Sequence, residues 1–203
     1  MKDLWNERFG GPEYFYGTTP NAFLASQAHL LRPGLTALAV ADGEGRNGVW
    51  LAEQGLDVLA VDFSEKALQK SRKLAESRGV ALRTELADLY AWDWGENRFE
   101  VIVAIFIQFA SSAQRPALHA AMQQALKPGG LLLLQGYTPR QLEYRTGGPS
   151  NVDNLYAAED LRRDFGNMEI LELREHDDEI REGPGHSGMS ALVDLVARKR
   201  QGS

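Results

Sequence analysis

A glycine-rich loop directly follows the first strand-like run of this sequence. Residues 43–48 read Gly-Glu-Gly-Arg-Asn-Gly and come after the apolar residues 36–41. Gly43 and Gly45 carry no side chain where a ligand would approach the backbone, and a helix starting near Arg46 would direct free N–H groups at it. The spacing matches the G-x-G-x-x-G pattern of dinucleotide-binding turns, so a nicotinamide cofactor is one interpretation. A tight turn that merely requires glycine is the alternative.

Two aspartates follow the next two strand-like runs. Asp62 ends the second run, where a carboxylate could accept hydrogen bonds from both ribose hydroxyls of an adenosyl group. Capping of the helix that begins at Ser64 is its alternative role. Asp88 and Leu89 follow the third run, where the aspartate and the next backbone N–H could contact an adenine edge. A solvated loop acid is the alternative for Asp88.

Candidate substrate-binding groups lie in two other stretches. Residues 105–109 (Ile-Phe-Ile-Gln-Phe) follow the fourth run, and there the backbone at Ile105 could contact the cofactor while Gln108 is offered to substrate. Core packing is the alternative for Phe106 and Phe109. Arg140 lies in a long irregular stretch over residues 138–155 and could hold a substrate anion, with solvation as the alternative.

His186 is the candidate general base. It lies in residues 183–188 (Gly-Pro-Gly-His-Ser-Gly), and its near-neutral pKa suits proton removal, while the glycines would let it reach a pocket. An incidental loop histidine is the alternative. His29 and His119 fall on helical patterns and His176 in an acidic run, so we expect these three to be structural or solvated.

The N-terminal residues are rich in aromatic side chains. Trp5, Tyr14 and Tyr16 could cover a cationic ligand through cation–π attraction and exclude water from it. A hydrophobic flap over the first helix is the alternative.

Alternating helix and strand patterns must position these groups. Strands are predicted over 36–41, 57–61, 82–87, 101–107, 131–134, 168–174 and 190–198, and helices over 20–31, 46–54, 64–78, 116–126 and 157–165. Strands without polar alternation, such as residues 36–41 and 101–107, are buried on both faces, which predicts a parallel sheet covered by helices. The last two strands predict an antiparallel ending. Residues 128–130 (Pro-Gly-Gly) predict a turn.

Composition restricts the function further. The chain has 203 residues, 43% of them hydrophobic, and a net charge of −6, which predicts one globular domain over residues 1–203 without a nucleic-acid surface. It contains no cysteine, which excludes disulfides, thiolate metal sites and cysteine nucleophiles. No metal site is expected. No signal peptide or membrane-length apolar run is evident, so we expect a cytoplasmic protein without a membrane partner. Nothing in the sequence indicates an oligomeric state.

The motifs, taken together, resemble those of class I methyltransferases that use S-adenosylmethionine (SAM). The first motif of that family resembles residues 38–47, its ribose acid Asp62, its adenine motif residues 88–89 and its turn residues 127–130. The ends of the chain are similar to the tellurite-resistance and thiopurine-type small-molecule methyltransferases, through residues 5–9 and 14–17, which resemble an N-terminal lid, and residues 183–186. The sequence departs from the family at Ala39, Ala41 and Asp42, where Asp, Gly and a small residue are usual.

This resemblance implies an α/β, doubly wound, Rossmann-like sheet of seven strands. It would comprise a lid and helix over 1–33, a cofactor-binding core over 34–136 and a substrate side over 137–203. It also implies methyl transfer from SAM to a small molecule, such as a metalloid oxyanion or a thiol or other heteroatom nucleophile. The implied cofactor-binding residues are Tyr16, Ala41, Asp42, Gly43, Gly45, Asn47, Asp62, Phe63, Ser64, Asp88, Leu89 and Ile105. Trp5, Gln108 and Arg140 would contact substrate, and His186 would act as base. An NAD(P)-dependent oxidoreductase and a catalytically silent protein of this fold are the alternatives.

Overall fold

The predicted alternation of strands and helices is present in the computed structural model, which describes residues 9–183 and 185–202. Its strands are β1 (Thr36–Val40), β2 (Asp57–Asp62), β3 (Arg83–Leu86), β4 (Phe99–Ile105), β5 (Leu126–Tyr137), β6 (Glu169–Glu182) and β7 (His186–Arg198). They form one seven-stranded sheet in the order β3-β2-β1-β4-β5-β7-β6. The predicted fold class is therefore confirmed.

Six α-helices occur among the described residues. They are α1 (Ala22–Ser26), α2 (Arg46–Glu53), α3 (Glu65–Arg78), α4 (Arg115–Ala125), α5 (Gln141–Tyr144) and α6 (Ala158–Asp164). The chain divides into two compact units. The N-terminal unit is Met1–Trp92 with Glu182–Gly185, and the C-terminal unit is Asp93–Arg181 with His186–Ser203. A single domain over residues 1–203 stays a prediction.

In the N-terminal unit, β1, β2 and β3 are parallel neighbours. Thr36 pairs with Asp57 at the start of the β1–β2 ladder, and Val40 pairs with Val61 at its end. β1 is buried from its second residue onward, which agrees with the absence of polar alternation. Ser64 caps α3 through a hydrogen bond from Ala67 N, and Gly79 ends that helix in the left-handed conformation.

In the C-terminal unit, β4 and β5 are parallel and β7 runs antiparallel to β5. The turn predicted at residues 128–130 would have separated α4 from β5. This prediction is wrong, because β5 already begins at Leu126. Phe99 pairs with Leu126 whereas Val101 pairs with Leu131, so the intervening residues of β5 bulge. In this bulge, Gly129 N donates to Lys199 O and Gly130 O accepts from Lys199 N, each at 2.8 Å. These two hydrogen bonds explain why the bulge remains part of the sheet.

Several predicted boundaries also need correction. The helix predicted over residues 20–31 is two short pieces, α1 and a 3₁₀ turn over Ala28–Leu30. β6 and β7 are longer than the strands predicted over 168–174 and 190–198. β6 was predicted too short because it is the edge strand of the sheet, where charged residues are common. The irregular stretch 138–155 contains α5 and the 3₁₀ turn Val152–Asn154.

No helix within residues 9–183 and 185–202 is long and apolar enough to cross a membrane.

His119 on α4 is fully buried in the C-terminal unit. Its Nδ1 lies 2.9 Å from Asp164 Oδ2, and its ring lies 4.6 Å from the ring of Phe165 between centroids. Burial lowers the pKa of His119 below its ordinary 6.5, although the Asp164 carboxylate opposes that shift. The imidazole is therefore neutral in the folded state, so its place is structural, as predicted from the helical pattern.

This burial predicts a loss of stability in mild acid. As the pH falls below about 6.5, the unfolded chain binds a proton at His119 that the folded chain does not. The melting temperature of the wild type should therefore fall more steeply between pH 7 and pH 5 than that of His119→Gln, measured by differential scanning calorimetry. His29→Gln, at an exposed histidine, is the control and should keep the wild-type slope. Equal slopes for all three proteins would contradict this assignment.

Candidate functional site

The glycine loop, residues 41–45, begins where β1 ends and holds three residues in the left-handed conformation. Ala41 has φ = 47°, Gly43 has φ = 58° and Gly45 has φ = 93°. Ala41 adopts this conformation although its Cβ makes it costly, by about 1–2 kcal/mol. At Gly45 a Cβ would also lie 2.6 Å from Ser71 Oγ on α3. The loop therefore keeps the backbone path of a glycine-rich turn even where an alanine replaces the glycine.

Asp62, at the end of β2, fixes this loop from its side. Gly43 N donates to Asp62 Oδ2 at 2.9 Å, and Ser64 N donates to Asp62 Oδ1 at 2.9 Å. The side chain is buried, and burial raises the pKa of its carboxyl while the backbone N–H groups of Ser64, Gly43 and Phe63 oppose the shift. A carboxylate has about four acceptor positions, so this one keeps acceptor capacity for ligand hydroxyls.

Asp42, inside the glycine loop, is partly buried. Both of its oxygens lie 3.1 Å from Gly48 N in the first turn of α2. A Cβ on Gly48 would overlap Asp42 Oδ2, so this glycine makes room for the carboxyl. Burial raises the pKa of Asp42 to about 7, with the nearby Asp62 adding to the shift and Arg46 reducing it. The third glycine of the G-x-G-x-x-G pattern is thus explained by Asp42.

Arg46 and Asn47 at the start of α2 are buried and hydrogen-bonded. Arg46 Nη2 donates to Glu182 Oε2 at 2.7 Å, and Asn47 Oδ1 accepts from Asn21 N at 2.9 Å. Glu182 Oε1 in turn accepts from Asn21 Nδ2 at 2.9 Å and from Ala22 N at 3.3 Å. These contacts join the start of α2 to α1 and to the end of β6.

The other proposed cofactor residues of the N-terminal unit lie around this loop. Phe63 directly follows Asp62 and is partly buried, Ser64 caps α3, and Leu89 is buried. Asp88 Oδ1 accepts a hydrogen bond from Tyr90 N at 3.1 Å in an exposed turn. That contact already explains Asp88 as a turn residue, so its adenine role stays a prediction.

An aromatic segment, residues 9–17, packs against the glycine loop. A Cβ on Gly43 would lie 3.6 Å from the ring of Phe9. Tyr16 makes edge-to-face contacts with Phe15 at 4.9 Å and with Phe9 at 6.4 Å between ring centroids. Trp5, also predicted for this lid, lies outside the described residues.

In the C-terminal unit, the end of β4 carries a second strained residue. Phe106, directly after Ile105, has φ = 55°, which is rare for a bulky side chain. Its ring stacks on Tyr137 at 4.6 Å and meets His186 edge-to-face at 4.4 Å between centroids. His186 is buried and also lies 5.6 Å from the Tyr137 ring. The predicted base therefore lies among aromatic rings at the carboxyl end of β4.

Gln108 has a structural explanation that the sequence did not reveal. Its Oε1 accepts from Tyr137 N at 2.6 Å, and its Nε2 donates to Tyr137 O at 2.8 Å and to Asn154 O at 3.2 Å. Asn154 Nδ2 donates back to Gln108 O at 3.1 Å. This amide therefore joins the end of β5 to the 3₁₀ turn Val152–Asn154, and its contact with substrate stays a prediction.

Arg140 is exposed and ion-paired. Its Nη1 lies 2.6 Å from Asp177 Oδ2, and its Nε lies 3.7 Å from Glu143 Oε2. Tyr144 also donates to Asp177 at 2.8 Å. A substrate anion would have to compete with these carboxylates for Arg140.

The sequence analysis missed four charged residues near the glycine loop. Glu44 and Lys70 form one pair at 2.6 Å, and Arg46 and Glu182 form another at 2.7 Å. Each pair joins residues far apart in sequence, so no local pattern identifies it. The only sequence signal was Glu44 and Arg46 standing inside the G-x-G-x-x-G pattern, where a purely structural turn needs no charge.

Comparisons with known proteins agree with this arrangement. A family model described as a methyltransferase domain matches residues 37–130. TehB of Haemophilus influenzae Rd, described as a probable SAM-dependent methyltransferase, is 22% identical over 194 residues, which cover 93% of this chain and 66% of TehB. Hemagglutinin 1 of Eikenella corrodens is 25% identical over 158 residues, which cover 78% of this chain and 51% of that protein. The chain spans about half the length of the first curated relatives it matches.

A solved structure described under "Conversion of a Disulfide Bond into a Thioacetal Group during Echinomycin Biosynthesis" shares the fold. It superposes with a TM-score of 0.81 at 19% identity, covering 100% of this chain and 93% of that one. The matched domain spans the glycine loop, Asp62 and Asp88. These findings support a class I SAM-dependent methyltransferase near the TehB type, a family whose cofactor is SAM.

Proposed function

We propose that the chain transfers a methyl group from SAM to a small molecule, and that Asp62 holds the ribose of the cofactor. The observation that carries this proposal is the Asp62 carboxylate, which Gly43 N and Ser64 N orient at 2.9 Å each and which keeps acceptor capacity for further donors. Two vicinal hydroxyls are the donors that fit such a carboxylate.

The remaining proposed contacts are consistent with SAM. The loop backbone at Ala41, Gly43 and Gly45 is shaped by left-handed residues, and Tyr16 lies in the segment that covers this loop. Asp42, Asn47, Phe63, Ser64, Asp88, Leu89 and Ile105 complete the set we propose for the cofactor. The carboxyls of Asp42 and Asp62 give the pocket acidic groups, which suit a cofactor with a positively charged sulfonium.

SAM supplies a methyl group already activated by its sulfonium, so the protein must orient the acceptor and remove its proton. We propose His186 as the base that takes this proton. Its buried place beside Phe106 and Tyr137 would limit water at the reacting atoms. The strained backbone of Phe106 is what brings its ring against His186.

The surroundings of His186 favour one class of acceptor. Its ring contacts are aromatic, and Arg140 is engaged by Asp177 and Glu143. We therefore propose a partly apolar acceptor with a thiol or another heteroatom nucleophile rather than a metalloid oxyanion. The structural neighbour described for thioacetal formation concerns sulfur, which supports testing thiols first.

A panel of thiol, amine, hydroxyl and tellurite acceptors, with the released S-adenosylhomocysteine as the readout, tests this choice of acceptor. No transfer to any acceptor would favour a catalytically silent protein, for which Ala39 and Ala41 are the motivating departures.

Removing the Asp62 carboxylate should weaken SAM binding. Asp62→Ala loses two hydroxyl hydrogen bonds, which predicts a loss of roughly 1–3 kcal/mol in binding free energy. Isothermal titration calorimetry with SAM and S-adenosylhomocysteine measures it, after thermal melting has confirmed folding. Asp57→Ala, at an exposed carboxylate that starts the same strand, is the control and should bind as the wild type does. Unchanged affinity in Asp62→Ala would refute the ribose assignment, and no binding by the wild type would refute the proposed function.

Asp42→Asn should stabilise the fold and reduce the preference of the protein for SAM over S-adenosylhomocysteine. The folded-state pKa of Asp42, about 7, lies above its ordinary 3.8, so wild-type stability falls as the pH rises through this interval. Asparagine retains an acceptor for Gly48 N without the buried charge. Its melting temperature should exceed that of the wild type at pH 8 by several degrees, since ~1 kcal/mol shifts a domain of this size by roughly 2–4 °C. At pH 4 the two should agree.

The same variant distinguishes the contribution of the Asp42 charge to cofactor binding from the contribution of the shape of its side chain. SAM carries one more positive charge than S-adenosylhomocysteine, so at pH 8 Asp42→Asn should weaken SAM more than it weakens the demethylated product. Asp57→Asn is the matched control for both measurements. An equal loss for both ligands would show that Asp42 contributes shape alone.

Replacing His186 should slow catalysis without changing cofactor affinity. General-base removal typically costs roughly 10²–10⁴-fold in kcat, so His186→Gln should fall in that range with an acceptor that carries a proton at pH 7. Raising the pH should recover part of the rate, because the acceptor then ionises without help. His29→Gln is the control. A wild-type kcat in His186→Gln would remove the histidine from the mechanism.

A further inference from the structure

Glu44 is a buried carboxylate at the centre of the glycine loop. Its side chain is 2% exposed, and a carboxylate that is withdrawn from water needs partners. Oε2 accepts a hydrogen bond from Phe15 N at 2.7 Å, and Oε1 accepts from Lys70 Nζ at 2.6 Å. The glycine loop is therefore bonded directly to the backbone of the aromatic segment, residues 9–17.

Lys70 on α3 completes the connection. Its ammonium also donates to Glu13 O at 2.7 Å and lies 5.6 Å from the centre of the Tyr14 ring. Tyr14 donates its hydroxyl to Lys70 O at 3.1 Å. One ion pair thus holds residues 13 and 15 of the aromatic segment through charge-assisted hydrogen bonds, which are stronger than neutral ones, while Lys70 also contacts the ring of Tyr14.

The other end of the aromatic segment rests on the turn between β6 and β7. Gly185 N donates to Phe15 O at 3.3 Å. A Cβ on Gly183 would lie 2.6 Å from Phe15 O and 2.7 Å from Gly17 N. The segment is therefore fixed between this turn and the Glu44–Lys70 pair, with Phe9 directly over Gly43.

We infer that Glu44 and Lys70 are positioning residues: they hold residues 9–17 on the glycine loop and thereby set how long SAM stays bound. This inference rests on the proposed function. The aromatic segment can leave the loop only by breaking the bonds from Phe15 N to Glu44 and from Lys70 to Glu13 O. Weakening these bonds should shorten the residence time of the cofactor, since affinity changes within one site arise mainly in dissociation.

The test combines two measurements on the full chain. Hydrogen–deuterium exchange without cofactor reports the opening of residues 13–17, and stopped-flow displacement reports the SAM dissociation rate. The variants are Glu44→Gln and Lys70→Met, with Lys70→Arg as the conservative rescue. Arg72→Met is the matched control, because Arg72 forms an equally short 2.6 Å pair with Glu65 on the exposed part of α3. Thermal melting confirms that each variant is folded.

We expect faster exchange at residues 13–17 in Glu44→Gln and Lys70→Met, and a SAM dissociation rate raised about tenfold. Lys70→Arg should restore both values to within about twofold of the wild type, and Arg72→Met should change neither. Unchanged exchange would overturn the positioning role without reference to SAM. Faster exchange with an unchanged dissociation rate would overturn the effect on residence time. Absence of SAM binding in the wild type would instead overturn the proposed function, and the residence-time role with it.

Discussion

The carboxylate of Asp62 is the constraint on which the glycine loop depends. Through Gly43 N and Ser64 N it joins the loop after β1 to the start of α3, while its own backbone oxygen accepts from Ala87 N after β3. One residue at the end of β2 therefore fixes the chain that follows three neighbouring parallel strands. A residue that only fills space cannot replace this carboxylate, because Gly43 N and Ser64 N would both lose their hydrogen-bonding partner.

Buried charge explains why this loop contains more than glycine. Asp62 lies close enough to Asp42 to disfavour its ionisation, and Arg46 partly offsets this repulsion. Burying like charges lowers the stability of the fold, which is consistent with the proposed role of these carboxyls in binding a cation. Glu44 shows the opposite case, because a lysine and a backbone N–H satisfy it completely. The loop thus contains one carboxyl whose ionisation is disfavoured and one carboxylate that holds the chain.

The strands could be predicted where burial left a clear pattern. β1, β2 and β4 contain continuous apolar runs at residues 37–40, 58–61 and 101–105, because helices cover a parallel sheet and neither face of these runs needs polar residues. β6 was predicted too short, because its residues are charged to suit an edge, and a charged edge strand looks like a loop in sequence. The bulge at residues 127–130 was taken for a turn, because proline and glycine mark both features.

The site residues also differ in how well the sequence predicts them: those at strand ends could be located from local patterns, and those with partners far away in the sequence could not. Asp62 and the glycine positions could be proposed from sequence because each lies at a strand end that the pattern already located. The partners of Glu44, Arg46 and Gln108 could not, because they lie 26 to 136 residues away. Ala41 and Phe106 were also beyond prediction: both take a left-handed conformation that their side chains disfavour, and both directly follow a buried parallel strand. Backbone strain that persists at two such positions is held in place by the surrounding packing, and this is typical of sites where geometry serves a ligand.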